Sequence, residues 1–175
     1  MRGNQHKYVH MAQRTLYRPR DLIQFVNFTI KEARRRGALL NGSRITNEDV
    51  IAARKAYSAY LGSELADEIH PHYPSWDQWL VLLRHLGRVT FSTQRFEQEA
   101  ATSPTLLHGV AAPEVLAAMY RFGIIGFARK GGGGGGGTVE YWAHRDHTKF
   151  DAGAPYFRVH PGLKEELDLK EGKAV

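Results

Sequence analysis

Seven consecutive glycines, Gly131 to Gly137, separate two short runs of strand-forming residues. Glycine loses the most backbone freedom on ordering and brings no side chain to pack. The run therefore belongs neither inside a helix nor in the buried part of a sheet. It reads as the tip of a hairpin joining Ile124–Arg129 to Thr138–His144, where Val139, Tyr141 and Ala143 alternate with Thr138, Glu140 and Trp142. Phosphate binding is not indicated. That chemistry needs a Lys-Ser or Lys-Thr pair directly after the glycines, at a helix N-terminus, whereas here Lys130 precedes the run and Thr138 opens a strand.

Upstream of the hairpin the periodicity is helical. Residues 1–17 show no clean pattern and read as a tail or the remnant of a preceding domain. From Arg18 to Arg36 the spacing predicts a helix with Leu22, Phe25, Val26, Thr29, Ile30 and Ala33 on one face. Pro19 suits the first helical position, whose N–H would be unpaired in any case, and Asp21 suits the positive end of the helix dipole. Gly37 and Asn41-Gly42-Ser43 break the chain. Thr46 and Asp49 form a capping box in acidic guise, and Val50, Ala53, Tyr57, Tyr60, Leu61, Leu65 and Ile69 then recur at helical spacing as far as His70-Pro71-His72-Tyr73-Pro74.

The second half has a different order. Ser75 is expected to cap a helix with Trp76, Trp79, Leu80, Leu83 and Leu86 inward and Gly87 at its end. Val89-Thr90-Phe91 reads as extended, and Ser92 as the cap of a helix with Phe96 and Ala100 inward. A third helix, Glu114 to Phe122, starts at Pro113 and is closed by Gly123. An extra strand, Tyr156–His160, and a short closing helix complete the chain. Helix, strand, helix, helix, strand, loop, strand is the order of a winged helix. The fold class expected is thus mainly α, α+β: a helical pair over 18–74, then a winged helix-turn-helix over 75–175 with a glycine-rich wing.

Charge narrows the function classes. The net charge is +6, but residues 1–74 hold 12 Lys and Arg against 7 Asp and Glu, while the remainder holds 12 against 11. The excess lies at the N-terminal end and not on the third helix, which offers one Arg and one Glu and no Asn, Gln or Lys for reading base edges. Arg129, Lys130, Arg145 and Lys149, with Arg158, remain as candidates for nucleic-acid backbone contact. The chain has no cysteine, no apolar run of about 18 residues and no signal-peptide pattern; the expectation is a cytoplasmic protein without membrane contact, disulfides or cofactors. His70 and His72, and His144 and His147, have spacings that ligate metals elsewhere, but neither pair has a third or fourth ligand beside it in sequence, and no metal site is expected. No nucleophile motif appears, so the chain is not expected to be an enzyme in its own right. An enzyme would require His70 or His72 to meet His144 or His147.

Several pieces together resemble a known family: Arg18-Pro19-Arg20-Asp21-Leu22, Ile45-Thr46-x-x-Asp49, Tyr57-Ser58-x-Tyr60-Leu61, and Phe157-x-Val159-His160-Pro161-x-Leu163. The set is similar to the C-terminal helical (RPRDL) and winged-helix region of bacterial P-loop ATPases of the AAA/STAND type. The resemblance implies a lid-like helical subdomain whose Arg18 and Arg20 contact nucleotide phosphates in a parent ATPase, by the bidentate fork of a guanidinium. Walker motifs are missing from this chain. The function so implied is a non-catalytic regulatory or interaction module, partnered by an ATPase core or another protein, with non-specific nucleic-acid contact. The alternative is a free-standing winged-helix DNA-binding protein.

Overall fold

The computed structural model describes residues 6–37, 44–130 and 138–172; the glycine run lies outside the described residues. Helix α1 spans Lys7–Ala12 and α2 spans Pro19–Arg35. The residues of α2 that are fully buried are Asp21, Phe25, Thr29 and Ala33, a strict i, i+4 row. The buried stripe is therefore rotated from the one expected. Leu22, Val26 and Ile30 flank it, and the acid Asp21 lies within it. Helix α3, Asn47–Ile69, starts at the anticipated capping box: Thr46 N donates to Asp49 Oδ2 at 2.7 Å, and Asp49 N donates back to Thr46 Oγ1. Helices α2 and α3 pack against each other along their lengths, with Phe25 and Tyr57 stacked nearly parallel at 4.3 Å.

Helix α4 is Trp76–Leu86. It buries all five expected residues and ends on Gly87 in the left-handed region. Ser75 occupies its N-cap position but makes no side-chain cap bond, a correction to the expected start. Strand β1 (Thr90–Ser92) follows, then α5 (Thr93–Thr102), whose first turn Ser92 caps by accepting from Arg95 N. A 3₁₀ turn at Pro104–Leu107 leads to α6, Ala112–Arg121. Strands β2 (Ile125–Lys130) and β3 (Thr138–Tyr141), the short helix α7 (Ala143–Asp146), β4 (Tyr156–Val159) and a 3₁₀ turn at Pro161–Leu163 complete the chain. The chain is thus α+β, with helices around a small antiparallel sheet. Among the described residues no helix is long and apolar enough to cross a membrane.

Two expectations for the sheet are corrected. The second strand of the hairpin stops at Tyr141, because Asp146 Oδ2 accepts the Trp142 N–H at 2.7 Å and turns the chain into α7. The C-terminal strand, expected as an extra one, is integral to the sheet: the order is β1-β4-β2-β3, so β4 lies in the middle. The register stacks Phe91, Phe157, Phe127 and Tyr141 on one rung across all four strands. Three of the four are fully buried and anchor the sheet's inner face in a core continuous with the helices.

The segment before α2 is fastened to the C-terminal turn. Arg14 is 6% exposed. Its Nη1 donates to Pro161 O at 2.8 Å, and its two Nη atoms grip the Glu165 carboxylate at 2.6 and 3.0 Å. Glu166 N donates to Ser58 Oγ on α3 at 2.9 Å.

Candidate functional site

Arg18 and Arg20 stand at the mouth of α2, but both are engaged. Arg18 forms a bidentate pair with Glu68, Nη2 to Oε2 at 2.8 Å, and Arg20 pairs with Glu64. The antiparallel packing of α2 on α3 explains the choice. It sets the start of α2 against the end of α3, so Glu64 and Glu68 are the partners and not Asp21, Glu48 or Asp49. Asp49 lies at the other end of the pair. Arg36 grips it there at 2.9 and 2.8 Å and holds its carboxyl well below the usual carboxylate range. Asp21 is buried, and neither carboxylate oxygen has a hydrogen-bond partner among the described residues. Burial raises its pKa, against the pull of Arg18.

The candidates for backbone contact answer to different partners. Arg129 Nε donates to Asp151 Oδ2 at 2.7 Å, with its guanidinium over Phe127 and Tyr141. Arg145 is bound to the Asp146 carboxylate and to Glu140 O. Arg158 bridges Glu140 and Glu171 at 3.3 and 3.2 Å. Lys149 is exposed in the α7–β4 loop, and Lys130 ends β2 opposite Thr138. Helix α6 buries Val115, Leu116, Ala118, Met119 and Tyr120 and leaves Pro113, Glu114 and Arg121 exposed.

The structure also gathers residues that sequence reading left apart. His144 meets His160, at 5.2 Å between ring centroids, and not His70, His72 or His147. His70, His72 and His147 are all exposed, with His72 near Phe122. Trp142 stands edge-on to His160 at 5.3 Å, and Tyr17 stacks on His144 at 5.8 Å. These four rings, with Arg145 and Arg158, line a cavity of about 250 Å³. His160 sits at the start of a 3₁₀ turn and Tyr17 in a linker, positions that carry no periodic signal. The Trp142–His144 pair was visible in sequence but read as strand. Among the described residues no group of three or more His, Asp or Glu is arranged to hold a metal.

Burial holds three of the histidines neutral. The His144 pKa is lowered to about 4, by desolvation and then Arg145. His160 lies well below its ordinary value, by desolvation and then His144. His10, which accepts from Arg54 at 2.9 Å, is lowered to about 4 by desolvation and then Arg54. The unfolded chain binds protons on these groups below about pH 6.5 while the folded chain does not. Their stabilisation is therefore complete above that pH and is lost as pH falls towards 4. Each of His10 and His144 contributes roughly 1–2 kcal/mol after allowance for partial exposure. Asp21 opposes the trend, since a raised carboxyl favours the fold as pH falls. Urea midpoints are expected to drop between neutral pH and about pH 4.5, with a shallower drop in His10→Gln; a flat profile would contradict neutral burial.

These features define the chain as an α+β protein with a helical N-terminal part and a ring-lined cavity at the junction with its sheet. A family model described as the FunZ-associated C-terminal helical domain matches residues 2–66, the part that contains α1, α2 and most of α3. This part of the chain is similar to a domain from the C-terminal region of a larger protein. No curated protein and no solved structure matches the chain.

Proposed function

We propose that this chain is a non-catalytic interaction module from the C-terminal part of a larger protein, and that it binds a partner protein through its helical N-terminal region. The observation that carries the reading is where the exposed apolar side chains lie. Among the described residues Tyr8, Val9, Ile23 and Ile51, each at least 40% exposed, fall within the family-matched segment and outside the cavity, against Val139 and Tyr156 in the second half. Ile51 lies one helical turn before Arg54, which bonds His10, so it stands near the part of α3 that meets α1, the helix of Tyr8 and Val9. Exposed apolar groups gathered in one region mark protein docking surfaces. The close pairing of Arg129 with Asp151, at 2.7 Å, supports a protein partner over nucleic-acid phosphates.

The order α4-β1-α5-α6-β2-β4 supports a winged-helix reading of the second half, with β4 as the return strand of the wing and β3 and α7 as elaborations within it. The RPRDL resemblance supports a P-loop ATPase parent. In that setting Arg18 and Arg20 would reach nucleotide phosphates only by exchanging Glu68 and Glu64 for them.

A photo-crosslinking residue in place of Ile51 is expected to give a discrete protein adduct in cells, and the same residue in place of Lys149 is not. Duplex DNA of random sequence is expected to bind no tighter than about 100 μM at low salt. Micromolar, salt-sensitive DNA binding lost in Arg129→Ala, Lys130→Ala, with adducts at Lys149 and none at Ile51, would overturn the reading in favour of a DNA-binding winged helix.

A further inference from the structure

The cavity at Tyr17 and His144 plays no part in a docking surface on α1 and α3, yet the chain makes room for it at three glycines. At Gly126 a β-carbon would lie 2.7 Å from both Trp142 Cδ2 and Tyr141 O. At Gly123 it would lie 2.9 Å from Leu16 Cδ2 and 3.2 Å from His144 Nδ1, and at Gly162 3.0 Å from His160 Nδ1. Trp142 therefore stands where a side chain at Gly126 would go, and His144 and His160 lie tight against Gly123 and Gly162. His144 Nδ1 is buried against Gly123 without a hydrogen-bond partner among the described residues, and the residue is one of those that line the cavity.

The fourth ring is held at a conformational cost. Tyr17 has a φ of +57°, in the left-handed region that side-chain-bearing residues avoid. Its ring is nonetheless 51% exposed, so little burial offsets the strain. A strained residue at the lip of a cavity is the kind of outlier that marks a binding position. Tyr17 and His144, their planes 29° apart, give this end of the cavity an uncharged aromatic lining.

The rim carries opposite chemistry. Arg145 and Arg158 bring two guanidiniums to the cavity, with Glu140 as the acid lining it beside them. Their carboxylate contacts are partly exposed, and those of Arg158 are long at 3.3 and 3.2 Å. The long pairs of Arg158 contribute at most about 1 kcal/mol, so an anion offering a better bidentate fit displaces them readily. The volume of about 250 Å³ lies just under the range of about 300–1,000 Å³ usual for drug-sized ligands, which confines the occupant to something small.

We propose that this cavity binds a small planar anion, a flat unsaturated ring bearing a phosphate or a carboxylate, with the ring against Tyr17 and His144 and the anionic group at Arg145 and Arg158. The carboxylate and phosphate forms share this chemistry and are separated by the probe. Calorimetric titration with benzoate tests the first and with AMP the second. Adenosine serves as a ring without the anion and inorganic phosphate as the anion without the ring.

At least one of benzoate and AMP is expected to saturate, about tenfold or more tighter than adenosine and inorganic phosphate, and to weaken about tenfold in Arg158→Gln or Arg145→Gln. The Trp142 indole N–H resonance is expected to shift on binding while those of Trp76 and Trp79 in α4 stay fixed. Tyr17→Gly keeps the fold, because glycine accepts the positive φ, and is expected to weaken the ring-bearing anion without affecting inorganic phosphate. The proposal fails if neither benzoate nor AMP saturates, if binding survives both arginine substitutions, or if Trp142 does not respond. Protein adducts at Ile51 are independent of all these outcomes.

Discussion

Gly162→Ala is expected to destabilise the protein by about 3 kcal/mol or more. A β-carbon at this position would collide with Arg14 O and lie 2.6 Å from Leu61 Cδ2. The first of these is backbone and has no rotamer to move into. Relief requires the Pro161–Leu163 turn to draw away from the segment before α2. That movement lengthens the Arg14 hydrogen bond to Pro161 O, 2.8 Å in the native fold, and opens the packing of Leu163 beneath it. Gly62→Ala is the matched control. Gly62 lies within α3, and its β-carbon would meet only Glu166 Cγ, at an ordinary 3.7 Å. Alanine exceeds glycine in helix propensity by about 1 kcal/mol, so this substitution is expected to stabilise. Urea midpoints of the two variants should fall on opposite sides of wild type. A Gly162→Ala midpoint at the wild-type value would show that the turn is not wedged against Arg14.

What was legible in the sequence was local. The capping box of Thr46 and Asp49, the Ser92 cap and the left-handed ends at Gly87 and Gly123 each depend on residues within four positions of one another, and all four stand in the structure. Ser75 shares the residue type but not the geometry, and caps nothing with its side chain. The α2 face was expected to hold Leu22, Val26 and Ile30 beside Phe25, Thr29 and Ala33, with Asp21 read only as a charge at the positive end of the helix dipole. Asp21 instead continues the row of Phe25, Thr29 and Ala33. The alternation through Val139, Tyr141 and Ala143 suggested an unbroken strand, but one carboxylate, Asp146, redirects the chain after Tyr141. The central position of β4 depends on pairing with β1 and β2, far away in the chain, and no local spacing encodes it.

The site followed the same division. The arginines were recognisable by type, but their engagement was not, because Glu68 lies 50 residues from Arg18 and Asp151 lies 22 from Arg129. The cavity needed more still. It is assembled from the Tyr17 linker, the start of α7 and the end of β4, and from three glycines whose role is to leave space. Absent side chains give no periodic signal, so the Trp142, His144 and His160 cluster emerges only once the chain is folded.

Arg14→Ala is expected to cost about 3 kcal/mol, although this residue lies in a stretch with no sequence pattern. Arg14 and Glu165 have side chains 8% and 22% exposed. Removing one member of such a pair leaves the other short of its counter-charge in a poorly solvated position. Pro161 O also loses its donor. Glu165→Gln is expected to be at least as damaging for a different reason: Arg14 and Arg54 lie close enough to repel, and Glu165 is the acid that offsets both. A double-mutant cycle separates these effects. If the pair acts as a unit, the double substitution will destabilise by clearly less than the sum of the two single ones. A sum equal to the double, or an Arg14→Ala loss under about 1 kcal/mol, would mean that Glu165 is solvated and that the segment before α2 is held by Leu16 and Thr15 alone. Strong coupling would instead make the segment around Arg14 an integral part of the C-terminal turn, and with it of the wall that carries His160.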